Sequence, residues 1–167
     1  MEKRKIIFSG DGMNHPSHIG DAGHDLIAAT DPFIAGTKIG DNRYLSIQYV
    51  EYNVNIRIAP QKGVFALVYP RSSISSNTNL ILANSVGVID NGYRNIIKLR
   101  FRYNFQPVDL VIEEGRVSGR PDRDRMYNKG DRIGQLVFCE HLPTDLVEYE
   151  GLPKSERGLG GFGSTGR

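Results

Sequence analysis

Apolar residues occur in short runs along this chain, divided by Gly, Pro, Asn and Asp. No segment between Asp25 and Val147 keeps a helical period long enough to predict a helix. The pattern therefore predicts a mostly β fold, and the close spacing of the runs favours a barrel or a sandwich. The predicted strands are Lys5–Phe8, Asp25–Ala28, Leu45–Ile58 with a break, Val64–Tyr69, Leu80–Asn84, Val86–Ile89, Asn95–Tyr103, Leu110–Ile112, Arg132–Phe138 and Leu146–Tyr149.

Two local patterns define a strand face and a turn. Apolar and polar residues alternate from Val54 to Ile58, which places Val54, Ile56 and Ile58 on one buried face. Asn91-Gly92 lies between two β-prone runs and supplies the positive φ angles of a tight turn. The sequence therefore predicts a β-hairpin at this dipeptide.

The domain organisation follows from length and from the distribution of glycine. A chain of 167 residues suits one domain with an appended arm. Six of the 19 glycines fall between Gly151 and Gly166, in a stretch with too few apolar residues to hold itself in a core. We therefore predict a β domain over residues 1–150 and a mobile arm over 151–167. The polar stretch Glu113–Lys129 is predicted to be a solvated loop, with a basic recognition patch as the alternative.

Charge and apolar content limit the classes of function. The 21 basic and 19 acidic residues give a net charge of +2, which lacks the strong field of a non-specific nucleic-acid binder. The longest apolar run, Val64–Tyr69, is far shorter than the roughly 20 residues of a membrane-spanning helix. One cysteine, Cys139, provides no intramolecular disulfide. We expect a protein of the cytoplasm, or of an infected host cell's interior, that binds neither nucleic acid directly nor membrane.

Two segments carry groups suited to a nucleotide. From Arg157 to Arg167 the chain combines two arginines, two hydroxyls, one phenylalanine and five glycines, which suits a clamp for phosphate and base as well as it suits an unstructured tail. In Pro70–Ser76, either Arg71 and Ser72 bind phosphate or the serines cap a short helix. Asp25 and Asp90 are the carboxylates best placed beside strands, although Asp90 also suits an ordinary turn.

Five segments, taken in order, resemble the motifs of one family, the homotrimeric deoxyuridine triphosphatases (dUTPases). The segments are Ala22–Leu26, Pro70–Ser73, Gly87–Arg94, Gly130–Phe138 and Arg157–Gly166. The resemblance implies an all-β, jelly-roll-like β-clip subunit and a homotrimer whose active sites are shared between chains. It also implies hydrolysis of dUTP to dUMP and pyrophosphate, which limits uracil incorporation into DNA and supplies dUMP for thymidylate synthesis.

The resemblance further implies roles for single residues. Asp90 corresponds to the residue that activates the water attacking the α-phosphorus. The corresponding base and sugar positions are Asn84, Val88, Ile89, Tyr93 and Lys98, the phosphate positions are Arg71, Ser72, Ser73 and Gln135, and the arm positions are Arg157, Phe162, Gly163 and Ser164. Mg²⁺ is the implied cofactor, bound mainly through the substrate triphosphate, with Asp25 acting on it through water.

Several features depart from the family pattern. Asn95 and Ser73 stand where glycines are usual, and residues 113–129 are longer than the usual connection, which makes them a candidate surface for a protein partner. Two alternatives therefore accompany the dUTPase interpretation. One is a dUTP-binding regulatory protein that acts through this stretch. The other is an enzyme related to dCTP deaminase, which uses a glutamate where this chain has Arg100.

Overall fold

Thirteen β-strands, one short helix and two 3₁₀ turns make up the part of the chain that the computed structural model describes, residues 4–160. The strands are β1 (Ile6–Ser9), β2 (Met13–Asn14), β3 (Gly23–Ile27), β4 (Phe33–Gly40), β5 (Arg43–Asn53), β6 (Arg57–Pro60), β7 (Val64–Tyr69), β8 (Leu80–Leu82), β9 (Gly87–Ile89), β10 (Lys98–Tyr103), β11 (Leu110–Glu113), β12 (Arg116–Gly119) and β13 (Arg132–Glu140). Helix α1 spans Ile74–Asn77, and the 3₁₀ turns span Pro107–Asp109 and Arg123–Arg125. None of the helices described is long and apolar enough to cross a membrane.

The strands pair antiparallel in three sheets. The five-stranded sheet has the order β2-β3-β13-β7-β9. The six-stranded sheet has the order β11-β12-β5-β10-β8, with β4 also paired to β5, and β1 pairs with β6. Gln135 of β13 lies opposite Asp25 of β3 on one side and Tyr69 of β7 on the other. This register fixes the distances between candidate site residues.

Inward-facing side chains of both larger sheets form a single hydrophobic core. Leu26 and Leu136 of the five-stranded sheet belong to the same buried cluster as Tyr52, Leu99 and Phe101 of the six-stranded sheet. Burial of such apolar surface is the main force that holds the two sheets together.

The predicted buried face at Val54, Ile56 and Ile58 is confirmed, with each residue at most 1% exposed. The predicted break in this segment occurs at Asn55, which adopts a φ of 48°. Gly12 crosses here so closely that a Cβ would lie 1.6 Å from the Val54 carbonyl oxygen. The chain can therefore leave β5 and enter β6 only because a glycine lies beside the break.

The sequence did not predict β2, β4 or β12, and one predicted strand is absent from residues 4–160. β4 was not predicted, because it contains two glycines and pairs with β5 through three register irregularities that disrupt its alternation. Residues 146–149 were predicted to form a strand, yet among residues 4–160 they have no strand partner. Leu146, Val147 and Tyr149 are exposed, since no neighbouring strand of the described chain covers them.

The predicted β-hairpin at Asn91-Gly92 is also wrong, although the turn exists. The Tyr93 N–H donates to the Asp90 carbonyl at 3.0 Å, but neither Asn91 nor Gly92 is among the positive-φ residues of the described chain. β9 pairs with β7, whereas β10 pairs with β5 and β8, so the turn joins two sheets. The Asn91 side chain binds the end of β6 at Pro60, the connecting Gln61 and the start of β7 at Val64, and so fixes the turn against these strands.

The stretch 113–129 was predicted to be a solvated loop, and this is wrong as well. It completes a β11–β12 hairpin around Glu114-Gly115, both of which have positive φ. Met126 and Tyr127 are buried in the core. The Tyr52 hydroxyl donates to the Tyr127 carbonyl at 3.0 Å. Because only a few residues of this polar stretch are buried, its composition did not predict their burial. These residues attach the stretch to the core.

Candidate active site

One cluster of polar side chains lies where β3, β13 and the end of β7 meet. Asp25 and Gln135 are opposite one another in the sheet, and Arg71 follows β7 after a single proline. All three line an open cavity of about 490 Å³, called here the phosphate cavity. Gly23 leaves room for the Gln135 amide, because a Cβ at this position would lie 3.2 Å from Gln135 Oε1.

Two arginines lie against the Asp25 carboxylate. The Arg132 guanidinium donates to Asp25 Oδ2 at 3.1 Å, and Arg71 Nε lies 3.3 Å from Oδ1. The Arg71 N–H is not directed at that oxygen, so within the described chain both atoms are buried without a hydrogen-bond partner. Because buried polar groups are normally paired, these two atoms indicate a place for ligand atoms.

Arg132 is a site residue that sequence reasoning missed. In a regular strand Arg132 and Gln135 point to opposite faces, since they are three positions apart. The register of β13 shifts between Arg132 and Gly134, and such a bulge redirects a side chain. Both residues consequently line the phosphate cavity. A bulge of this kind leaves no clear signal in the sequence.

The serines after Arg71 are partly explained by local structure. A short helix does begin here, and Ser73 is its N-cap residue, but the Ser73 side chain makes no capping hydrogen bond. Within residues 4–160 the hydroxyls of Ser72 and Ser73 have no hydrogen-bond partner. Ser73 lines a further cavity, which shares Arg71 and Arg132 with the phosphate cavity. The hydroxyls therefore remain free to bind a ligand.

The second cluster lies where β9 leaves the five-stranded sheet. A cavity of about 480 Å³, called here the base cavity, is lined by all five residues predicted for base and sugar, namely Asn84, Val88, Ile89, Tyr93 and Lys98. The Tyr93 hydroxyl donates to the Ile96 carbonyl at 3.0 Å, which fixes the ring beside the cavity.

Asp90 directly follows β9 and is exposed at the turn. The next residue, Asn91, holds this turn in place. Its side-chain amide donates to the carbonyls of Pro60, Gln61 and Val64 at 3.0, 2.9 and 2.9 Å. Sequence reasoning assigned Asn91 only a turn conformation and missed this anchoring role.

A glutamate enters the base cavity from β5. Glu51 accepts hydrogen bonds from Lys98 Nζ and Arg100 Nε, each at 2.8 Å. Burial acts to raise the pKa of Glu51, but hydrogen bonds and charge from the two cations outweigh it and lower the pKa. Glu51 is thus ionised at neutral pH and is a poor general base. Sequence reasoning noted Arg100 but missed the carboxylate to which it is bound.

The two cavities are far apart within one chain. Across the sheet, Asp25 of β3 is level with Tyr69 of β7. Asp90 follows Ile89, the residue of β9 that pairs with Ala66 of β7, and is therefore level with Phe65. With normal strand spacing, three strand steps across the sheet and four residues along it separate the two carboxylates by roughly 20 Å. No residue among those that the structure describes lines both cavities.

The remaining predicted residues belong to the arm. Arg157 is exposed, and its Nε donates to the Gly160 carbonyl at 2.9 Å, so within the described chain it reaches neither cavity. Phe162, Gly163 and Ser164 lie outside the described residues.

A protein-family model described as dUTPase matches residues 12–118 and 119–166. The chain belongs to the dUTPase family. It is 35% identical over 151 residues to the deoxyuridine 5'-triphosphate nucleotidohydrolase of Corynebacterium glutamicum, covering 90% of this chain and 85% of that protein. Its identity to the enzyme of the same name from Bifidobacterium longum is 32% over 152 residues, covering 91% and 80%.

Solved dUTPase structures share the fold. The dUTPase of Staphylococcus bacteriophage 80alpha, solved with dUpNHpp, superposes with a TM-score of 0.71 at 22% identity, covering 98% of this chain and 99% of that one. The predicted all-β, jelly-roll-like β-clip fold is therefore confirmed. The phage structure is described in connection with control of the transfer of virulence genes.

The donor set fits a hydrated Mg²⁺ ion only if other ligands supply most of the coordination. The unpartnered Oδ1 of Asp25 is a suitable oxygen ligand, directly or through water. However, residues 4–160 contain no group of three or more His, Cys, Asp or Glu side chains that could hold a metal. Among dUTPases, the enzyme of phage phi11 of S. aureus is described as coordinating a structural Mg(II) ion.

A third cavity, of about 400 Å³, lies on the opposite side of β3 from Asp25 and is lined in part by His15, His24 and Phe138. The rings of His15 and His24 meet edge to face at 5.8 Å between centroids. Burial and, to a smaller extent, the charge of His15 lower the pKa of His24.

The side chain of Asn95, the residue that stands where the family usually has glycine, accepts a hydrogen bond from the N–H of Ile96 at 2.7 Å and so makes a local contact in the turn.

Proposed function

We propose that this dUTPase hydrolyses dUTP to dUMP and pyrophosphate, with Asp90 activating the water that attacks the α-phosphorus. The observation that carries the mechanism is the division of the site into two cavities. The phosphate cavity contains Arg71 and Arg132, and the separate base cavity is lined by Ile89, which directly precedes Asp90. The Asp90 carboxylate is exposed and makes no hydrogen bond within residues 4–160, so it is free to orient a water. Such hydrolysis limits uracil incorporation into DNA and supplies dUMP for thymidylate synthesis.

Arg71, Ser72, Ser73 and Gln135 would hold the phosphates. The unpartnered Arg71 N–H supports this role, because it can donate to a phosphate oxygen that bears charge. The Gln135 amide and the free serine hydroxyls add neutral donors nearby. Fixed donors of this kind stabilise charge on the transferring phosphoryl group.

The base would be read mainly by main-chain groups. β9 is the last strand of its sheet, so part of its backbone is unpaired and available to the uracil edge. Asn84, Val88 and Ile89 contribute this surface. Tyr93 would pack under the deoxyribose and exclude a 2′-hydroxyl, and Lys98 would provide a further contact.

We propose a homotrimer with shared sites. A nucleoside and its α-phosphate are only a few ångströms apart, so one chain cannot place its own Asp90 beside a phosphate held by its own Gln135. The base cavity of one subunit must therefore face the phosphate cavity of another. Exposed apolar side chains that follow β13, at Leu142, Leu146, Val147, Tyr149 and Leu152, also favour burial against another subunit.

The arm, residues 151–167, would complete the site from a third subunit. Arg157 would bind the γ-phosphate, Phe162 would cover the base, and Gly163 and Ser164 would lie beside it. The solvent exposure of the arm up to Leu159 leaves it free to reach a neighbour.

Mg²⁺ would be bound mainly by the triphosphate of dUTP, with Asp25 acting on it through water. When bound, it neutralises phosphate charge. Asp25 would orient that hydration shell, while the hydrogen bond from Arg132 holds the Asp25 carboxylate in position.

The test is pyrophosphate release from dUTP, with dCTP, dTTP and UTP as controls. We expect turnover of dUTP only. Absence of pyrophosphate release from dUTP by the folded, Mg²⁺-supplied protein would refute the proposal.

The β11–β12 hairpin would serve a protein partner rather than the reaction. Ile112 and Val117 are exposed on one of its faces, and β11 is an edge strand. Replacing both by lysine should leave dUTP hydrolysis unchanged and abolish binding of a partner that the unmodified protein retains.

The protein would act in the cytoplasm or in the interior of an infected cell, where its single thiol stays reduced.

A further inference from the structure

The base cavity contains an ionised carboxylate that neither hydrolysis nor main-chain reading of the base uses. Glu51 lines the same cavity as Asn84, Val88 and Tyr93. Its side chain is only 13% exposed. Both of its oxygens are occupied, Oε1 by Lys98 and Oε2 by Arg100.

A carboxylate beside a pyrimidine affects the choice of base. An ionised carboxylate only accepts hydrogen bonds, so it favours the exocyclic amino group of cytosine. It repels the carbonyl oxygen that uracil carries at the same ring position. An unpaired Glu51 would consequently favour the wrong nucleotide.

Lys98 and Arg100 change the hydrogen-bonding groups that this side of the base cavity presents to a base. Each occupies one carboxylate oxygen, and each has further N–H groups that can donate. Arg100 also stacks on Tyr49, with its guanidinium carbon 4.2 Å from the ring centroid. This stacking holds the guanidinium in place before any ligand arrives.

We propose that Arg100, together with Lys98, masks Glu51 and so contributes to the discrimination of dUTP from dCTP. This inference rests on the proposed function, because it assumes that uracil occupies the base cavity. Arg100 is a specificity-determining residue in this scheme and takes no part in the chemical step. Its position on β10, two residues after Lys98, allows both cations to reach the same carboxylate.

The experiment compares kcat/KM for dUTP with kcat/KM for dCTP. In Arg100→Met the ratio should fall about tenfold, the scale of one good polar contact to a base edge. Glu51→Gln/Arg100→Met should restore the ratio, because a neutral amide does not impose an acceptor. Arg102→Met is the matched control: Arg102 is exposed on the same strand, makes no ion pair within residues 4–160, and should leave the ratio unchanged.

If Arg100→Met unfolds, Arg100→Lys and Arg100→Gln replace it. Arg100→Lys keeps a cation and should retain most of the discrimination between dUTP and dCTP. Arg100→Gln lacks the cation and should lose this discrimination. An unchanged ratio in a folded Arg100→Met or Arg100→Gln protein that still hydrolyses dUTP would overturn the inference. Equal losses with and without Glu51→Gln would also overturn it, since the carboxylate would then have no part. Failure of the unmodified protein to hydrolyse dUTP would instead refute the proposed function.

Discussion

Asp90 owes its position to the residue that follows it. Within residues 4–160 the Asp90 side chain makes no hydrogen bond that would orient it, whereas the neighbouring Asn91 amide binds three carbonyls. In the proposed mechanism, chemistry and positioning therefore belong to two adjacent residues, and mutation can separate them.

Asp90→Asn should reduce kcat by on the order of 10²–10⁴ while leaving dUTP binding largely intact, because a general base acts on the transition state more than on the bound substrate. Steady-state kinetics and calorimetric titration with a non-hydrolysable analogue would measure the two effects. Asp41→Asn, at another exposed turn, is the control and should retain full activity. Near-normal turnover in Asp90→Asn would show that another group activates the water.

Asn91→Ala should destabilise the protein by about 1–3 kcal/mol, since several main-chain acceptors lose their donor. It should also lower kcat, because Asp90 loses its support. Urea unfolding followed by circular dichroism measures the first effect. Asn95→Ala removes only a contact to the adjacent residue and should cost less. An equal cost for the two variants would contradict the anchoring role of Asn91.

His24 should make stability depend on pH. Its pKa is lowered in the folded protein from 6.5, so below about pH 6.5 the unfolded chain binds this proton first. The contribution is therefore fully present above pH 6.5 and is lost as the pH falls through the lowered pKa of the folded state. Urea unfolding at pH 7.5 and 5.5 should show a smaller acid loss in His24→Gln than in the unmodified protein. His141→Gln, at an exposed position, should show the unmodified protein's loss.

Among the elements, those with a regular period could be predicted from the sequence. The face of Val54, Ile56 and Ile58 follows from alternation, and all five base and sugar residues do lie together. The β-bulge that redirects Arg132, the approach of Glu51 and the anchoring by Asn91 could not be predicted, because each depends on contacts between distant segments. The hairpin prediction failed for the same reason: the strands on either side of Asn91-Gly92 pair with strands distant in sequence, which a local turn preference does not reveal.

The stretch 113–129 should resist proteolysis despite its arginines. Brief trypsin digestion should cut first after Lys154 or Arg157, in the exposed arm, and only later after Arg116, Arg123 or Arg125. Mass spectrometry of the fragments would establish the order. Gly119→Val should expose the stretch to early cleavage, because a Cβ there would lie 2.2 Å from Phe105 Cε1. Early cleavage at Arg116 in the unmodified protein would support a solvated loop instead.

At the scale of the whole molecule, shared sites predict complementation between two inactive proteins. Asp90→Asn lacks the base, and a chain truncated before Arg157 lacks the arm. A mixed trimer can contain a site with Asp90 from the truncated chain and the arm from the other, so co-refolding should restore pyrophosphate release.

A verified mixed trimer without activity would count against shared sites, and elution as a monomer in size exclusion would remove their basis. Refolding each mutant with itself is the control and should give no activity.

The base cavity spans the seam between the two large sheets. Val88 and Ile89 belong to one sheet, while Glu51 and Lys98 belong to the other, and residues 90–97 bridge them. The width of this cavity therefore depends on the angle between the two sheets. If the base cavity holds the nucleotide as proposed, a substitution deep in the core that tilts one sheet by a few degrees changes the fit of the nucleotide without altering any residue that touches it. In the evolution of this enzyme, packing and substrate choice are consequently not independent traits.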